Sequence, residues 1–352
     1  MDKVRIAVIG CGGISAAHIN GILAEPRAEL VYCVDTNEDL AREKAETAGC
    51  KFATDYLSIL DEVDAVDICT PPHLHAEMTI AAAHAGKHVL CEKIMAINLD
   101  QAEAMIEETD KAGIVFMVAF VLRYLREFMI LNELCRSGKL GQIHQAYAQT
   151  SMNMGVPPKE WRRSVETHPF GCYMSHGCHY VDQLIWHVGE IVETTSLGNA
   201  MTMADWIPGG DDTTCAIFKH QSGAVSAYVE SWATPFPITR LKIDVYGKEG
   251  SARVEYLADN RRIVELTNAE GTQRLWEFDP NNQEMMDVFG GAKDMHGQIS
   301  HFVECVIEGK QPTTHGREGI KAMQVISASM EGEHTGRIVD VQEYLASRKR
   351  SG

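Results

Sequence analysis

The sequence predicts an α/β domain built on a parallel sheet, followed by an α+β domain with a large, mostly antiparallel open sheet. Three observations predict this. In the first third of the chain, short β-branched runs alternate with helical stretches at regular spacing, as parallel strands joined by crossover helices do. After about Leu122 the spacing changes to longer alternating segments separated by glycine turns, the pattern of antiparallel strands. The first strand runs directly into a glycine-rich loop, "VIGCGGIS" at Val8–Ser15. A length of 352 residues suits two domains, since one domain usually holds roughly 100 to 200 residues. The expected division is 1–122 and 123–352.

In chain order, strands are expected at Val4–Ile9, Leu30–Val34, Ala65–Cys69, His88–Leu90 and Val115–Ala119, with helices at Asn37–Ala48, Glu77–His84 and Leu99–Ala112. A further helix, Glu127–Arg136, ends at Ser137-Gly138. The alternating segments of the second part are Ile143–Met152, Thr213–Phe218, Ala224–Trp232, Leu241–Tyr246, Ala252–Tyr256 and Arg262–Leu266, separated by the turns "QSG", "GKEG" and "NAEG". Such a sheet leaves one face solvated or free to act as a platform. The stretches "PFPITR" and "WIPGGDD" read as loops at its rim.

Composition narrows the class of function. The chain is 45% hydrophobic and 23% charged, the balance of an ordinary globular protein. A formal charge of -17 repels phosphate backbones and anionic lipid, so neither nucleic acid nor a membrane surface is an expected partner. No apolar run of about 20 residues is present to span a bilayer, and the opening "MDKVRIAVIG" is too short a run for a signal peptide. Ten cysteines without a C-x-x-C pair read as reduced residues of a cytoplasmic protein.

The glycine loop carries the most readable chemistry. Gly10 allows a tight turn, Gly12 lets a pyrophosphate approach the backbone, and a helix starting near Gly13 offers its N-terminal amides to the anion. Ser15 stands where a third glycine would pack helix against strand. Asp35 ends the strand "LVYCVD" about 25 residues after Gly10, where a carboxylate accepts ribose hydroxyls and repels a 2′-phosphate. Thr36-Asn37 supplies no arginine for such a phosphate, so NAD is favoured over NADP.

Two further stretches, "CTPPHLHAEM" and "AGKHVLCEKIMAINLD", leave the carboxyl ends of predicted parallel strands, where open α/β sheets bind ligands. Pro71 and Pro72 place His73 and His75 in or beside a loop near the cofactor. Glu92-Lys93 ends an apolar run abruptly; by position the lysine is either a surface cation or a group reaching into the cleft. A third stretch, "SHGCHYVDQLIWHVG" at Ser175–Gly189, sets His176, His179 and Asp182 three apart, on one face if helical. It can be read as a catalytic group, as a metal site or as a satisfied helix. Catalytic zinc needs a third protein ligand, and the candidates His168 and His296 are fixed by no motif, so no metal is expected.

With these residues the chain resembles the glucose-fructose oxidoreductase / inositol dehydrogenase / rhizopine-catabolism family (Gfo/Idh/MocA) of NAD(P)-dependent oxidoreductases. The resemblance rests on Gly10-Cys11-Gly12-Gly13-Ile14 with His18, Thr70-Pro71-Pro72 with His75, "AGKHVLCEK" at Ala85–Lys93 and Gly177-x-His179-x-x-Asp182. It extends through "SGKLGQI" at Ser137–Ile143, "FVECVIEGKQP" and "GREGIKAMQVISA". It implies an N-terminal Rossmann domain and a C-terminal sheet used for oligomer contacts, as a homodimer or homotetramer. The implied cofactor contacts are Gly10, Cys11, Gly12, Gly13, Ile14, Asp35, Thr70, Pro71, His75, Glu92 and Lys93.

The resemblance also implies oxidation or reduction of a sugar or cyclitol carbon, with His179 taking the hydroxyl proton and Lys93 stabilising the alkoxide. An imidazole pKa of about 6.5 suits reversible proton transfer. Substrate contacts are expected from His176, Asp182, Arg123, Tyr124, Trp161 and Arg162, since aromatic faces stack on sugars and arginines donate to hydroxyls. Two departures stand out. Ile94 replaces the usual proline after the lysine, and as a cis Lys-Ile bond costs about 3 to 4 kcal/mol, a trans bond is expected. Ser175 stands where many members carry an acid. Two other functions use the same residues: an enzyme that oxidises transiently and recycles its NAD while cleaving a glycosidic bond or eliminating, and a non-catalytic NAD sensor.

Overall fold

The computed structural model describes residues 3–154, 160–203, 210–282 and 295–351. The chain divides into two compact units, Met1–Tyr124 with Gly291–Ile320, and Leu125–Gly290 with Lys321–Gly352. The expected contiguous division at residue 122 therefore omits a returning segment.

The first unit holds a six-stranded parallel sheet: β1 (Val4–Ile9), β2 (Ala28–Val34), β3 (Lys51–Ala53), β4 (Ala65–Ile68), β5 (His88–Cys91) and β6 (Phe116–Val118), in the order β3-β2-β1-β4-β5-β6. Its order reverses at β1, and ligands of such sheets sit at the carboxyl ends beside that switch. β1 and β4 are buried almost throughout because helices cover both faces of a parallel sheet, which is why their sequences are continuous apolar runs. The crossovers are α1 (Ser15–Ala24), α2 (Glu38–Ala48), α3 (His75–His84) and α4 (Leu99–Ala112). Asn37 caps α2 by accepting from the amides of Asp39 and Leu40, and Gly49 ends it in the left-handed conformation that a side chain disfavours. The three residues of β3 are too few to show a period, so this edge strand is invisible in the sequence.

The returning segment supplies α8 (His296–Glu308), whose Ile299, Phe302, Val303 and Val306 join the core of Val4, Ile6, Ile19 and Ile22. Spacing of three and four residues makes α8 visibly amphipathic. Periodicity names no partner, however, and the contact with α1 is long-range.

In the second unit a nine-stranded sheet runs β14-β13-β12-β11-β7-β10-β9-β8-β15, antiparallel except for the parallel pair β7/β10. Its strands are β7 (Ile143–Ser151), β8 (Ile191–Asn199), β9 (Thr213–His220), β10 (Val225–Ser231), β11 (Leu241–Gly247), β12 (Gly250–Tyr256), β13 (Arg262–Asn268), β14 (Gly271–Phe278) and β15 (Val339–Asp340). Three of these, β8, β14 and β15, carry no alternating apolar signal: β8 reads "IVETTSLGN", and the first half of β14 is exposed on both faces. α5 (Arg126–Arg136), α6 (Cys172–Ser175) and α7 (Gly177–Val188) pack on one face; α9 (Gly316–Thr335), within which the division of units falls, and α10 (Val341–Ser351) complete the chain. Pro235–Arg240 joins β10 to β11 with Phe236 and Ile238 exposed, as a rim loop. Trp206–Gly209 of the other expected loop lie outside the described residues.

Alternation sets the function of each face. Along β9, Thr214, Ala216, Phe218 and His220 are buried while Cys215, Ile217 and Lys219 are exposed. On β10, Ser226, Tyr228 and Glu230 are buried, a carboxylate and a phenol in slots that normally take apolar residues.

Candidate functional site

The glycine loop leaves β1 with Gly10 at φ +94, and a Cβ there would lie 2.8 Å from the Cys69 carbonyl carbon and 2.9 Å from the Thr70 amide. Glycine is required on both counts. The turn thus lies against the exit of β4. Asp35 is held by two backbone amides, Oδ2 accepting from Cys11 at 2.8 Å and Oδ1 from Asn37 at 2.9 Å. The side chain is partly exposed. α1 has no side-chain cap at Ile14; the Ser15 and Ala17 amides close its first turn onto the Gly12 and Ile14 carbonyls, and Gly13 is exposed ahead of them. These features fit a dinucleotide: an exposed glycine turn at a helix N-terminus for the pyrophosphate and a pre-set carboxylate for the ribose. Ser15, in the place of a third glycine, is fully buried and donates to the Gly12 carbonyl at 2.7 Å, closing the turn.

Beneath the loop lies a network only partly expected from the sequence. His18 is fully buried on α1, with Nδ1 donating to Asp67 at 2.8 Å and Nε2 to Glu92 at 3.0 Å. Burial alone would favour neutral imidazole, but Asp67 and Cys69 outweigh it and hold the pKa well above 6.5. Burial likewise works against the Glu92 carboxylate, and the hydrogen bond and charge of His18, with Lys93, bring its pKa below the ordinary value. The Cys69 thiol, pushed up to about 12 by burial and then by Asp67, stays protonated and donates to Asp67. His18, Asp67 and Cys69 are also the one cluster among the described residues with metal-ligand chemistry. Both ring nitrogens are already committed to carboxylates, so the imidazolium itself is the cation there. The sequence signal for Asp67 is a charge inside the apolar run "AVDIC".

Glu92 then reaches Lys93: its Oε2 accepts from the Lys93 amide at 3.1 Å. The Lys93–Ile94 peptide bond is cis, correcting the expectation of trans. Local preference is overridden by tertiary contacts, because the Ile94 side chain is buried and its carbonyl oxygen lies 2.8 Å from His75 Nδ1. Nε2 of His75 lies 2.8 Å from the Thr70 carbonyl oxygen. His75, expected near the cofactor, is thus a fully buried brace between the exits of β4 and β5, with both ring nitrogens turned to backbone. Pro71 is extended and partly exposed beside Thr70.

Arg123 and Tyr124 follow β6 in the same unit. Arg123 donates to the Thr313 carbonyl, and the Tyr124 hydroxyl pairs with Thr313 Oγ1 at 2.9 Å. Burial raises the Tyr124 pKa to about 12, so it stays a neutral phenol. Both side chains are committed to the returning segment.

In the second unit, the helix expected through the histidine motif is broken at His176, the junction between α6 and α7. His179 and Asp182 lie on α7 and are buried, while the His176 side chain is 23% exposed. The His176 Nδ1 lies 2.7 Å from Glu230 Oε1, and Tyr228 donates to Glu230 Oε2 at 2.7 Å. The His176 and His179 rings meet edge to face at 6.2 Å. Ser175, in place of an acid, pairs with His168 Nε2 at 2.8 Å. His168 in turn meets the edge of Trp161, over which Arg162 lies at 4.9 Å. Burial lowers the Arg162 pKa, its guanidinium being partly stripped of water.

In the second unit His176 thus meets a buried carboxylate, Glu230, that sequence reading missed, while His168 links Trp161 to Ser175. Glu230 had a signal: an acid at a core-facing position of an alternating strand.

Residues 4–120 match the oxidoreductase family's NAD-binding Rossmann fold, and residues 132–341 its C-terminal alpha/beta domain. Over 350 residues the chain is 28% identical to myo-inositol 2-dehydrogenase of Thermotoga maritima, covering 97% of this chain and 100% of that protein. It is 30% identical over 331 residues to 4-carboxy-2-hydroxymuconate-6-semialdehyde dehydrogenase of a Sphingobium species, covering 88% and 93%. The solved complex of levoglucosan dehydrogenase with NADH and levoglucosan matches with a TM-score of 0.86 at 22% identity, over 96% of this chain and 99% of that one, a likeness of fold.

Proposed function

The chain belongs to the Gfo/Idh/MocA oxidoreductase family, with an NAD-binding Rossmann domain, and from that premise we propose that it oxidises a hydroxyl-bearing carbon of a sugar, sugar derivative or cyclitol. The observation that carries this reading is Lys93: a half-buried lysine at the exit of β5, its amide held by a carboxylate that a buried imidazolium clamps. Such backing fixes the backbone that carries a cation at the end of the sheet where ligands bind.

Bound NAD supplies the hydride acceptor. Asp35, partly exposed, accepts the ribose hydroxyls and repels a 2′-phosphate, favouring NAD over NADP. Lys93, as an ammonium, stabilises the developing alkoxide. His179 takes the hydroxyl proton. His176, with Nδ1 turned to Glu230, offers Nε2 to a second substrate hydroxyl, and Asp182 anchors α7 behind them. Trp161 and Arg162 offer an aromatic face and a donor.

The exposed face of the nine-stranded sheet is read as the contact with a second copy. Leu197, Ile217, Val225 and Ile338 are exposed there, the last three lining a groove of about 410 Å³, an apolar surface of the kind that association covers. Ile217→Lys should reduce the mass measured by light scattering to that of one chain, 39.0 kDa.

The function is tested with a panel of sugars, cyclitols and their acids, following NADH absorbance and product mass together. NADH formed with one substrate class, and lost in His179→Ala, supports the dehydrogenase. Product formed without net NADH points instead to recycled NAD. NAD binding without turnover of any compound would favour a sensor.

A further inference from the structure

The structure carries a thiol pair that neither the cofactor nor the proposed chemistry uses. Cys33 lies at the end of β2 and is fully buried, while Cys50 follows the left-handed Gly49 that ends α2 and is partly exposed. Their sulfurs are 3.6 Å apart. Cys50 also lines a surface hollow with Arg42, Glu46 and Lys51, the two cations being paired with Glu38 and Glu62. The pair is asymmetric: Cys33 holds the Cys50 pKa below the ordinary thiol value, burial opposing it, while contacts with Cys11 and Cys50, and then burial, push Cys33 up. A partly exposed cysteine whose sulfur touches that of a buried partner is the arrangement in which one thiol meets an oxidant and the other resolves the product.

We propose that Cys50 is a modification site for hydroperoxides and that Cys33 resolves it to an intramolecular disulfide. The Cys50 thiolate attacks the O–O bond, forming a sulfenic acid and releasing an alkoxide, or hydroxide from hydrogen peroxide, which takes a proton from water. Cys33 then attacks the Cys50 sulfur; the S–S bond forms, the S–O bond breaks, and the departing hydroxide takes the Cys33 proton to leave as water. Two thiols are oxidised by two electrons and one peroxide is reduced, and an external dithiol reverses the change. The new bond would join the end of β2 to the exit of α2, the two flanks of Asp35.

The proposal separates chemistry from accessibility, because Cys215 is the exposed cysteine. The full chain is treated with one equivalent of hydrogen peroxide, quenched with N-ethylmaleimide and digested with trypsin without reduction. The expected result is a cross-link between peptides Ala28–Arg42 and Ala45–Lys51, two hydrogens lighter than their sum, and a free-thiol titre falling from ten to eight. In Cys33→Ser, dimedone should label Cys50. In Cys50→Ser and Cys50→Ala the cross-link should vanish. Recovery of Cys33 and Cys50 as maleimide adducts while Cys215 is oxidised would overturn the proposal and leave the pair as core packing.

Discussion

Each unit places a histidine against buried carboxylate, and the two arrangements differ in what they leave open. In the first, His18 has no exposed surface and gives both ring nitrogens to Asp67 and Glu92. In the second, His176 gives one nitrogen to Glu230 and keeps 23% of its side chain exposed. The first can hold charge but has no exposed surface through which to pass a proton; the second keeps some. Histidine beside carboxylate is thus not a function in itself. The number of ring nitrogens that carboxylates take, and the exposure of the side chain, decide.

The largest expected effect breaks the closed network. Removing one partner of a buried ionic group costs about 3 to 5 kcal/mol because the others are left uncompensated. His18→Gln should lower the unfolding free energy by that order in urea titration; a loss below about 1 kcal/mol would make the network no more than a surface-like pair. The pH dependence has a fixed sign. The His18 pKa is raised in the fold, so its contribution is complete below the unfolded value of 6.5 and declines as pH rises through the higher folded value. Glu92 is depressed, so its contribution is present above the unfolded value of 4.5 and is lost as pH falls. The difference between wild type and His18→Gln should therefore be greatest between these limits and shrink in alkali.

The next effect tests the open side. His179→Ala and Lys93→Ala should each lower turnover of the substrate found by screening by about 10² to 10⁴ while NAD still binds. A smaller change is expected from Glu230→Gln, which keeps the hydrogen-bonding shape and removes the charge. A hydrogen bond to a charged group is worth roughly 1.5 to 3 kcal/mol, so kcat/KM should fall by about tenfold or more. If Glu230→Gln instead lowers the unfolding free energy as His18→Gln does and leaves kcat/KM intact, the two networks are alike and the distinction fails. The smallest effect concerns cofactor choice: Asp35→Ser should weaken NAD by roughly tenfold, the loss of one charged hydrogen bond, and narrow its advantage over NADP.

Much of this was legible in the sequence where local chemistry decides. Gly10, Asp35 and the alternation of strands and helices sit where backbone geometry and spacing require them, and β9 and β10 showed their two faces directly. What escaped depended on distant partners. α8 is amphipathic, but its docking on α1 is a contact between residues far apart in the chain. The cis bond at Lys93–Ile94 ran against local preference because a buried side chain and His75 hold the loop. Asp67 and Glu230 were visible as misplaced charges, yet only the fold shows that histidines stand opposite them. The helix expected through His176 was broken at that residue, where spacing alone suggested continuity.

His75 carries a mechanical consequence. Because one buried ring spans the Thr70 and Ile94 carbonyls, the segments leaving β4 and β5 are joined crosswise as well as through their strands. A strut of this kind makes two loops respond to load as one body: a push on the proline turn is felt at the lysine, and slack introduced in either is shared by both. His75→Ala should therefore loosen the two together, with hydrogen exchange accelerating in both segments at once.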